Sequence, residues 1–182
     1  MTAPVIAVLD YGIGNLRSAE KALQKVGADA RLTRDPDFVA TADAVVLPGV
    51  GAFGACMDAL RAAGLEKVVH QAVDSGRPFL GICVGMQMLF TGSEENLEAR
   101  GLDIISGMVK WIPPGVKRPQ MQWNKLNFEH PKDPMFTGPL LSQSADGSWV
   151  YFVHSLHGVP NDDKVIAATC EYGGTLNAAF RL

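Results

Sequence analysis

The chain has 182 residues, of which 47% are hydrophobic and 19% are charged, and its formal net charge is −3. This length and composition are typical of one globular domain that buries a substantial core. The slightly acidic balance provides no basic face for nucleic acid and no polybasic patch for an acidic membrane, so we expect neither as a partner.

The first half alternates apolar runs typical of buried strands with segments typical of helices. The sequence predicts strands at Val5–Leu9, Ala44–Leu47 and Pro78–Ile82, and helices over Leu16–Val26, Phe53–Ala63, Leu65–Ser75 and Cys83–Phe90. Asn15 is the expected cap of the first helix and Gly27 its expected end. Strands and helices that alternate at short intervals indicate an α/β fold, with a doubly wound, mostly parallel sheet and flanking helices.

The second half has a different character. Short β segments separated by prolines are predicted from Ile104 to Val153, and further strands at Val165–Ala168 and Thr175–Leu182. The sequence has no internal repeat, low-complexity run or linker. We therefore expect this β-rich half to belong, with the first, to a single domain over residues 1–182.

Targeting signals and bound groups are not indicated. The run Val5–Leu9 is too short for the core of a signal peptide, and the longest apolar stretch, Ala44–Met57, is broken by a proline and glycines. Three cysteines, Cys56, Cys83 and Cys170, are odd in number and too widely spaced for a disulfide framework or a paired zinc motif. We expect a cytoplasmic protein that requires no metal or other cofactor.

Three loops are expected at the carboxyl edge of the sheet, where ligands bind in doubly wound folds: Asp10–Asn15, Pro48–Gly51 and Gly81–Gly85. The last of them (Gly-Ile-Cys-Val-Gly) places Cys83 between two glycines at a strand-to-helix turn, where larger neighbours would collide. The first turn of a helix favours a thiolate, so this pattern predicts a nucleophile for acyl transfer. The alternative is a small buried hydrophobe, which is how we interpret Cys56 and Cys170.

Residues near this cysteine suggest partial roles. The N–H groups of Val50 and Val84 are candidate donors to an oxyanion, although the Pro48–Gly51 segment also fits a plain turn. Gln87 lies one helical turn after Cys83 and could orient a polar substrate, and Glu95 could pair with an ammonium group. Either residue could equally be ordinary surface.

No histidine is an evident base for Cys83. His154 and His157 follow an apolar run, but neither has a carboxylate at short spacing. His70 and His130 are interpreted as surface or structural residues. A cysteine hydrolase that uses His154 as its base remains an alternative.

Four segments together resemble one family. Gly81–Gln87 (Gly-Ile-Cys-Val-Gly-Met-Gln) looks like the nucleophile elbow of class I glutamine amidotransferases. Asp10–Leu16 (Asp-Tyr-Gly-Ile-Gly-Asn-Leu), Pro48–Phe53 (Pro-Gly-Val-Gly-Ala-Phe) and Tyr151–Ser155 (Tyr-Phe-Val-His-Ser) narrow the resemblance to the glutaminase subunits of imidazole glycerol phosphate synthases. These segments are spread along the chain and occur in the expected order.

The resemblance implies that Cys83 attacks the side-chain amide of L-glutamine, forms a glutamyl thioester and releases ammonia. The ammonia passes to a (β/α)₈-barrel cyclase subunit of histidine biosynthesis. The implied oxyanion contacts are Val50 and Val84, the glutamine contacts Gly51, Gln87, Glu95 and Ser155, and the positions near the subunit interface Asn15 and Trp123. A non-catalytic subunit that docks to the cyclase, or the amidotransferase subunit of another synthase, are the alternatives.

The chain departs from the family pattern in three places. Gln120 and Gln122 stand in a segment that is usually Pro-His-Met-Gly-Trp-Asn, and Leu156 stands where an aromatic residue is usual. The Phe-His-Pro-Glu segment that supplies the family's histidine base and orienting glutamate does not occur up to Leu182. We therefore expect that base and glutamate beyond Leu182, and little glutaminase activity from these residues alone.

Overall fold

The computed structural model describes residues 2–132, 136 and 148–182. They form two compact units, one that ends at Ile105 and one over Ser106–Leu182. Residues 133–135 and 137–147, which belong to the predicted β-rich stretch, lie outside the described residues. The expectation of a single domain stays a prediction.

The first unit is built on a parallel sheet. Its elements are β1 (Val5–Leu9), α1 (Leu16–Lys25), β2 (Asp29–Thr33), α2 (Pro36–Thr41), β3 (Ala44–Gly49), α3 (Phe53–Ala62), α4 (Glu66–Asp74), β4 (Phe79–Cys83), α5 (Val84–Gln87), β5 (Phe90–Ser93) and β6 (Asn96–Arg100). The strand order is β2-β1-β3-β4, with all three pairings parallel. The chain leaves β1 in one direction and returns to its other side at β3, which confirms the predicted doubly wound α/β class.

The central strands of this sheet are buried, as their continuous apolar runs predict. Val8 of β1 and Val46 of β3 pack with Ala30 of β2, and Ala19 and Leu23 of α1 cover this cluster. The helical spacing of the apolar residues in α1 therefore places them on the side that packs against the sheet. Among the described residues, none of the helices has the length and apolarity that crossing a membrane requires.

Four elements of this unit, β2, α2, β5 and β6, were not predicted from the sequence. β2 is an edge strand, so its apolar residues alternate with polar ones and do not form a continuous run. α2 has only six residues, and it begins at Pro36 after Asp35, whose carboxylate accepts a hydrogen bond from the Asp37 N–H at 3.0 Å. Such short helices carry too little periodicity to detect.

The helix predicted over Cys83–Phe90 is wrong at its end, because α5 stops at Gln87 and Phe90 begins β5. The carbonyl of Leu89 accepts hydrogen bonds from the N–H groups of Ile104 and Ile105, both at 2.9 Å. Tertiary bonds thus replace the next helical turn. The capping expectation also fails, since the Asn15 side chain accepts from the Ser18 hydroxyl and makes no bond to a helix N–H.

The second unit consists of antiparallel strand pairs. Its elements are β7 (Ile105–Trp111), β8 (Gln120–Lys125), β9 (Asn127–Phe128), β10 (Trp149–His154), β11 (Leu156–Pro160), a 3₁₀ turn (Asp163–Val165), β12 (Ile166–Glu171) and β13 (Thr175–Phe180). β8 pairs with β10, β7 with β11, and β12 with both β13 and β9. Buried alanines of β12 pack with Leu126, Val150 and Phe152 to form its core.

Candidate active site

The predicted site loops follow neighbouring strands at the carboxyl edge of the parallel sheet. The topological switch point lies between β1 and β3, where doubly wound sheets bind ligands. The register of β3 and β4 pairs Gly49 with Cys83, which brings the Pro48–Gly51 loop beside the predicted nucleophile. The hydroxyl of Tyr11, in the loop after β1, donates a hydrogen bond to the Pro48 carbonyl at 2.7 Å. The structure therefore joins all three loops.

Cys83 occupies a strained and exposed turn between β4 and α5. Its backbone has φ 55° and ψ −117°, in a region that non-glycine residues rarely adopt, at a cost of about 1–3 kcal/mol. Its side chain is exposed, whereas Cys56 and Cys170 are buried. Burial raises the pKa of both buried thiols, so they stay protonated. An exposed thiol on a strained elbow is the geometry of a nucleophile and not of a core residue.

The two glycines that frame Cys83 are required by close backbone contacts. A Cβ at Gly85 would overlap the Leu47 carbonyl of β3, and a Cβ at Gly81 would lie 2.7 Å from the Met86 Cα of α5. Such collisions are why glycine is expected on both sides of this turn. α5 is a single turn, however, so its macrodipole is small. The electrostatic support expected for a Cys83 thiolate is then limited to the N–H groups of that turn, which have no partner within the helix.

The Pro48–Gly51 loop is held by buried groups. The Cys56 thiol of α3 donates to the Val50 carbonyl at 3.3 Å, and Gly51 adopts φ +98°, which favours glycine. Val50 is exposed, and Val84 directly follows Cys83, the predicted nucleophile. Two candidate oxyanion donors therefore flank Cys83, one from each loop.

Gln87 and Glu95 both occur in the first unit. Gln87 is the last residue of α5, and its side chain is buried, which differs from the exposed alternative in the sequence analysis. Glu95 lies in the tight turn between β5 and β6, and its Oε2 accepts a hydrogen bond from the Phe53 N–H at 2.6 Å. Glu95 thus caps α3, which directly follows the Pro48–Gly51 loop. Its remaining lone pairs can accept bonds from a ligand ammonium.

The three other residues implied by the resemblance lie in three further places. Asn15 is exposed in the loop that follows β1. Ser155 lies between β10 and β11 in the second unit, where its carbonyl accepts from the Ile112 N–H at 2.9 Å. Trp123 is exposed on β8 and makes an edge-to-face contact with Tyr151 of β10, with ring centroids 5.5 Å apart.

Trp123 belongs to a larger apolar surface on the β8–β10 ribbon. Register pairs Trp123 with Tyr151 and Met121 with Val153, and Trp149 pairs with Lys125 on the same side. The aromatic face, as we call it, consists of Met121, Trp123, Trp149, Tyr151 and Val153, each between 52% and 64% exposed. A contiguous exposed patch of this kind marks a site for a partner.

His154 is not a free base, because both of its ring nitrogens are engaged. Nδ1 lies 2.8 Å from the Leu156 carbonyl, which only accepts, so Nδ1 carries the proton. Nε2 lies 2.8 Å from Oε1 of Gln120, which also only accepts, and burial lowers the His154 pKa, which disfavours a second ring proton. Turning the Gln120 amide by 180° resolves this, because the buried Gln120 Nε2, which otherwise has no partner, then donates to His154 Nε2. The cysteine hydrolase alternative therefore loses its base.

Gln122, Leu156 and His157 occupy ordinary strand positions. Gln122 lies in regular strand β8 without a positive φ, so it needs no glycine conformation, and Leu156 is buried at the start of β11. His157 Nδ1 accepts a hydrogen bond from the Asn177 N–H at 3.3 Å. Within the described ranges, no cluster of three or more His, Cys, Asp or Glu side chains could hold a metal ion.

The anchors of the Pro48–Gly51 loop were not found from the sequence. Tyr11 comes two residues after a buried strand, and Cys56 lies inside an apolar helix, so both fit ordinary core positions. The one signal in the sequence is that each side chain carries a polar atom at a position where core packing is expected. Packing buries both side chains completely or nearly so, and a buried polar atom needs a hydrogen-bond partner.

Comparison with known proteins identifies the relatives of this chain. The family model for glutamine amidotransferase class-I matches residues 7–181. The imidazole glycerol phosphate synthase subunit HisH of Syntrophotalea carbinolica is 49% identical over 182 residues, covering 96% of this chain and 85% of that protein. The subunit of the same name from Geobacter sulfurreducens is 45% identical over 182 residues, covering 96% and 84%. The solved structure of PurLQS from Thermotoga maritima shares the fold, with a TM-score of 0.68 and 19% identity, covering 97% and 78%.

Proposed function

The chain belongs to the class I glutamine amidotransferases and, within them, to the HisH subunits of imidazole glycerol phosphate synthase, and on this basis we propose that it hydrolyses L-glutamine at Cys83. The ammonia released is delivered to the cyclase subunit in histidine biosynthesis. The observation that carries the proposal is the elbow: an exposed thiol at φ 55° on β4, in register with Gly49 of the neighbouring loop.

The reaction proceeds in two acyl-transfer steps. The Cys83 thiolate attacks the side-chain amide carbon of glutamine, a C–S bond forms, and the π electron pair moves onto the carbonyl oxygen. The Val50 and Val84 N–H groups donate to that oxyanion, each such donor being worth about 10²–10³ in rate. The base, which has taken the proton of the Cys83 thiol, gives it to the amine nitrogen; the C–N bond then breaks, ammonia leaves, and the glutamyl thioester remains. Water then attacks the thioester, giving glutamate and restoring the thiol.

Four residues are proposed to bind glutamine: Gly51, Gln87, Glu95 and Ser155. The position of Glu95 supports an ammonium contact, because its carboxylate already lies at the N-terminus of α3, next to the Pro48–Gly51 loop. Gln87 is a buried neutral amide one helical turn from Cys83, which suits it to hydrogen-bond a polar substrate. No metal or cofactor enters this mechanism.

The general base is proposed to be a histidine other than His154, oriented by a glutamate. The hydrogen bonds of His154 to Leu156 and Gln120 support this, because they leave that ring without a free nitrogen. The first check is the coding sequence downstream of Leu182 together with the intact mass of the natural protein. A frame that continues into Phe-His-Pro-Glu supplies the base, and a frame that stops favours a cyclase-binding subunit without catalysis.

The partner is proposed to be a (β/α)₈-barrel cyclase, which docks through the aromatic face and Asn15. Exposed tryptophan, tyrosine and methionine are the residues enriched at the centres of protein interfaces, and the aromatic face supplies all three. The proposed compartment is the cytoplasm, whose reducing conditions keep Cys83 as a thiol.

The test is glutaminase turnover by the full-length natural chain in complex with its cyclase. Cys83→Ala is expected to abolish ammonia release, since no other thiol in the described ranges is exposed. Cys170→Ala is the matched control, because this buried thiol lies in the core of the second unit, and its turnover per folded protein is expected to stay at the level of the unmodified chain. Turnover that survives Cys83→Ala would contradict the proposal.

A further inference from the structure

Two buried side chains hold the loop beside the nucleophile by its carbonyl groups. The Tyr11 hydroxyl donates to the Pro48 carbonyl at 2.7 Å, and the Cys56 thiol donates to the Val50 carbonyl at 3.3 Å. These two carbonyls stand on either side of the peptide that joins Gly49 to Val50. The Val50 N–H, the proposed oxyanion donor, belongs to that peptide.

The Tyr11 hydroxyl also touches the junction of the loop with the elbow. A Cβ at Gly49 would lie 3.1 Å from this hydroxyl and would overlap the Gly85 N–H group at the start of α5. The phenol therefore contacts the loop at the place where its backbone meets the turn that carries Cys83. A change at Tyr11 acts on the spacing of the two proposed oxyanion donors.

Both anchors stay protonated in the working pH range. Burial raises the pKa of Tyr11 far above its ordinary value, and burial likewise raises the pKa of Cys56. Each group remains a hydrogen-bond donor, and neither can act as a base or a competing nucleophile. Their part in the reaction is thus confined to positioning.

We propose that Tyr11 and Cys56 are positioning residues for glutamine hydrolysis, which fix the Gly49–Val50 peptide so that the Val50 N–H meets the developing oxyanion. This inference rests on the proposed function and adds two residues that never touch the substrate. Because the oxyanion exists only in the transition state and intermediate, loss of an anchor lowers kcat and leaves glutamine binding unchanged.

The first test is Tyr11→Phe in the full-length chain complexed with its cyclase. We expect kcat to fall roughly tenfold, less than the 10²–10³ lost when an oxyanion donor itself is removed, with KM within about twofold. The rate of Cys83 alkylation by iodoacetamide should stay unchanged, because that reaction forms no oxyanion. Tyr172→Phe is the matched control, since its phenol also donates to a backbone carbonyl, that of Lys117 at 2.8 Å, and its kcat should not change.

A second pair of variants tests Cys56, the other anchor. This pair also tests the inference if Tyr11→Phe does not fold. Cys56→Ala removes the donor and should lower kcat, whereas Cys56→Ser keeps a donor and should restore most of it. Tyr11→Phe with kcat within twofold of the unmodified chain overturns the inference. So does a parallel fall of kcat and alkylation, which indicates general distortion. If the unmodified complex itself lacks glutaminase activity, the proposed function fails, and the positioning role fails with it.

Discussion

Trp123→Ala should sharply weaken binding of the cyclase subunit, because Trp123 lies near the centre of the aromatic face. Its side chain is 64% exposed and has Tyr151 beside it as an edge-to-face neighbour. A tryptophan buries up to about 250 Å², so this exposed fraction leaves on the order of 100–150 Å² for a partner to cover. At ~25 cal/mol per Å², the truncation costs about 3 kcal/mol of binding free energy.

The loss corresponds to a Kd roughly 100-fold weaker, since each 1.4 kcal/mol is a factor of ten. Isothermal titration of the full-length chain with purified cyclase measures it directly. Leu97→Ala is the control, because Leu97 is 78% exposed on β6 but lies outside the aromatic face. Leu97→Ala should bind like the unmodified chain. A Kd for Trp123→Ala within about twofold of that value would refute the docking role of this face.

Three further results are expected. Gly85→Ala places a methyl group against the Leu47 carbonyl, so urea denaturation should show a loss of about 1–3 kcal/mol in the free energy of unfolding. Glu95→Gln keeps an oxygen for the Phe53 N–H but loses the charge, so kinetics should show a higher KM for glutamine at nearly unchanged stability; an unchanged KM would remove Glu95 from the glutamine site. His154 has a lowered pKa in the folded chain, so the unfolded chain binds more protons below its ordinary value near ~6.5, and stability should fall as pH drops through that range. Urea midpoints at several pH values should show a shallower fall for His154→Asn, and an identical slope would contradict the assignment.

The turn at Cys83, the proposed nucleophile, could be predicted from the sequence because its glycine frame lies within five residues. A Cβ at Gly81 would collide with Met86 of the same turn, and a Cβ at Gly85 would collide with Leu47 of the neighbouring strand β3. Glycine at both positions therefore marks the turn in the sequence. The buried strands β1 and β3 were predicted for a similar reason. Their continuous apolar runs reflect burial on both faces, which the parallel sheet confirms.

The end of α5 could not be predicted, because distant residues determine it. The helical periodicity after Cys83 gives no indication that the N–H groups of Ile104 and Ile105 bind the Leu89 carbonyl. The aromatic face was hidden for a different reason. β10 is apolar on both sides, with Val150 and Phe152 in the core and the alternate residues exposed, so hydrophobicity alone does not tell which side is buried.

At the Pro48–Gly51 loop, side chains bind the backbone carbonyl groups, and a backbone N–H group is proposed to bind the oxyanion. Both Tyr11 and Cys56 donate to carbonyl oxygens, so neither of these two bonds uses the Val50 N–H, the proposed oxyanion donor. A loop held by acceptors to its N–H groups would be as well ordered but would have no donors left for an oxyanion. Because both anchors remain protonated, the loop keeps its shape across the working pH range. Neither anchor therefore adds a titration of its own to the pH dependence of glutamine hydrolysis.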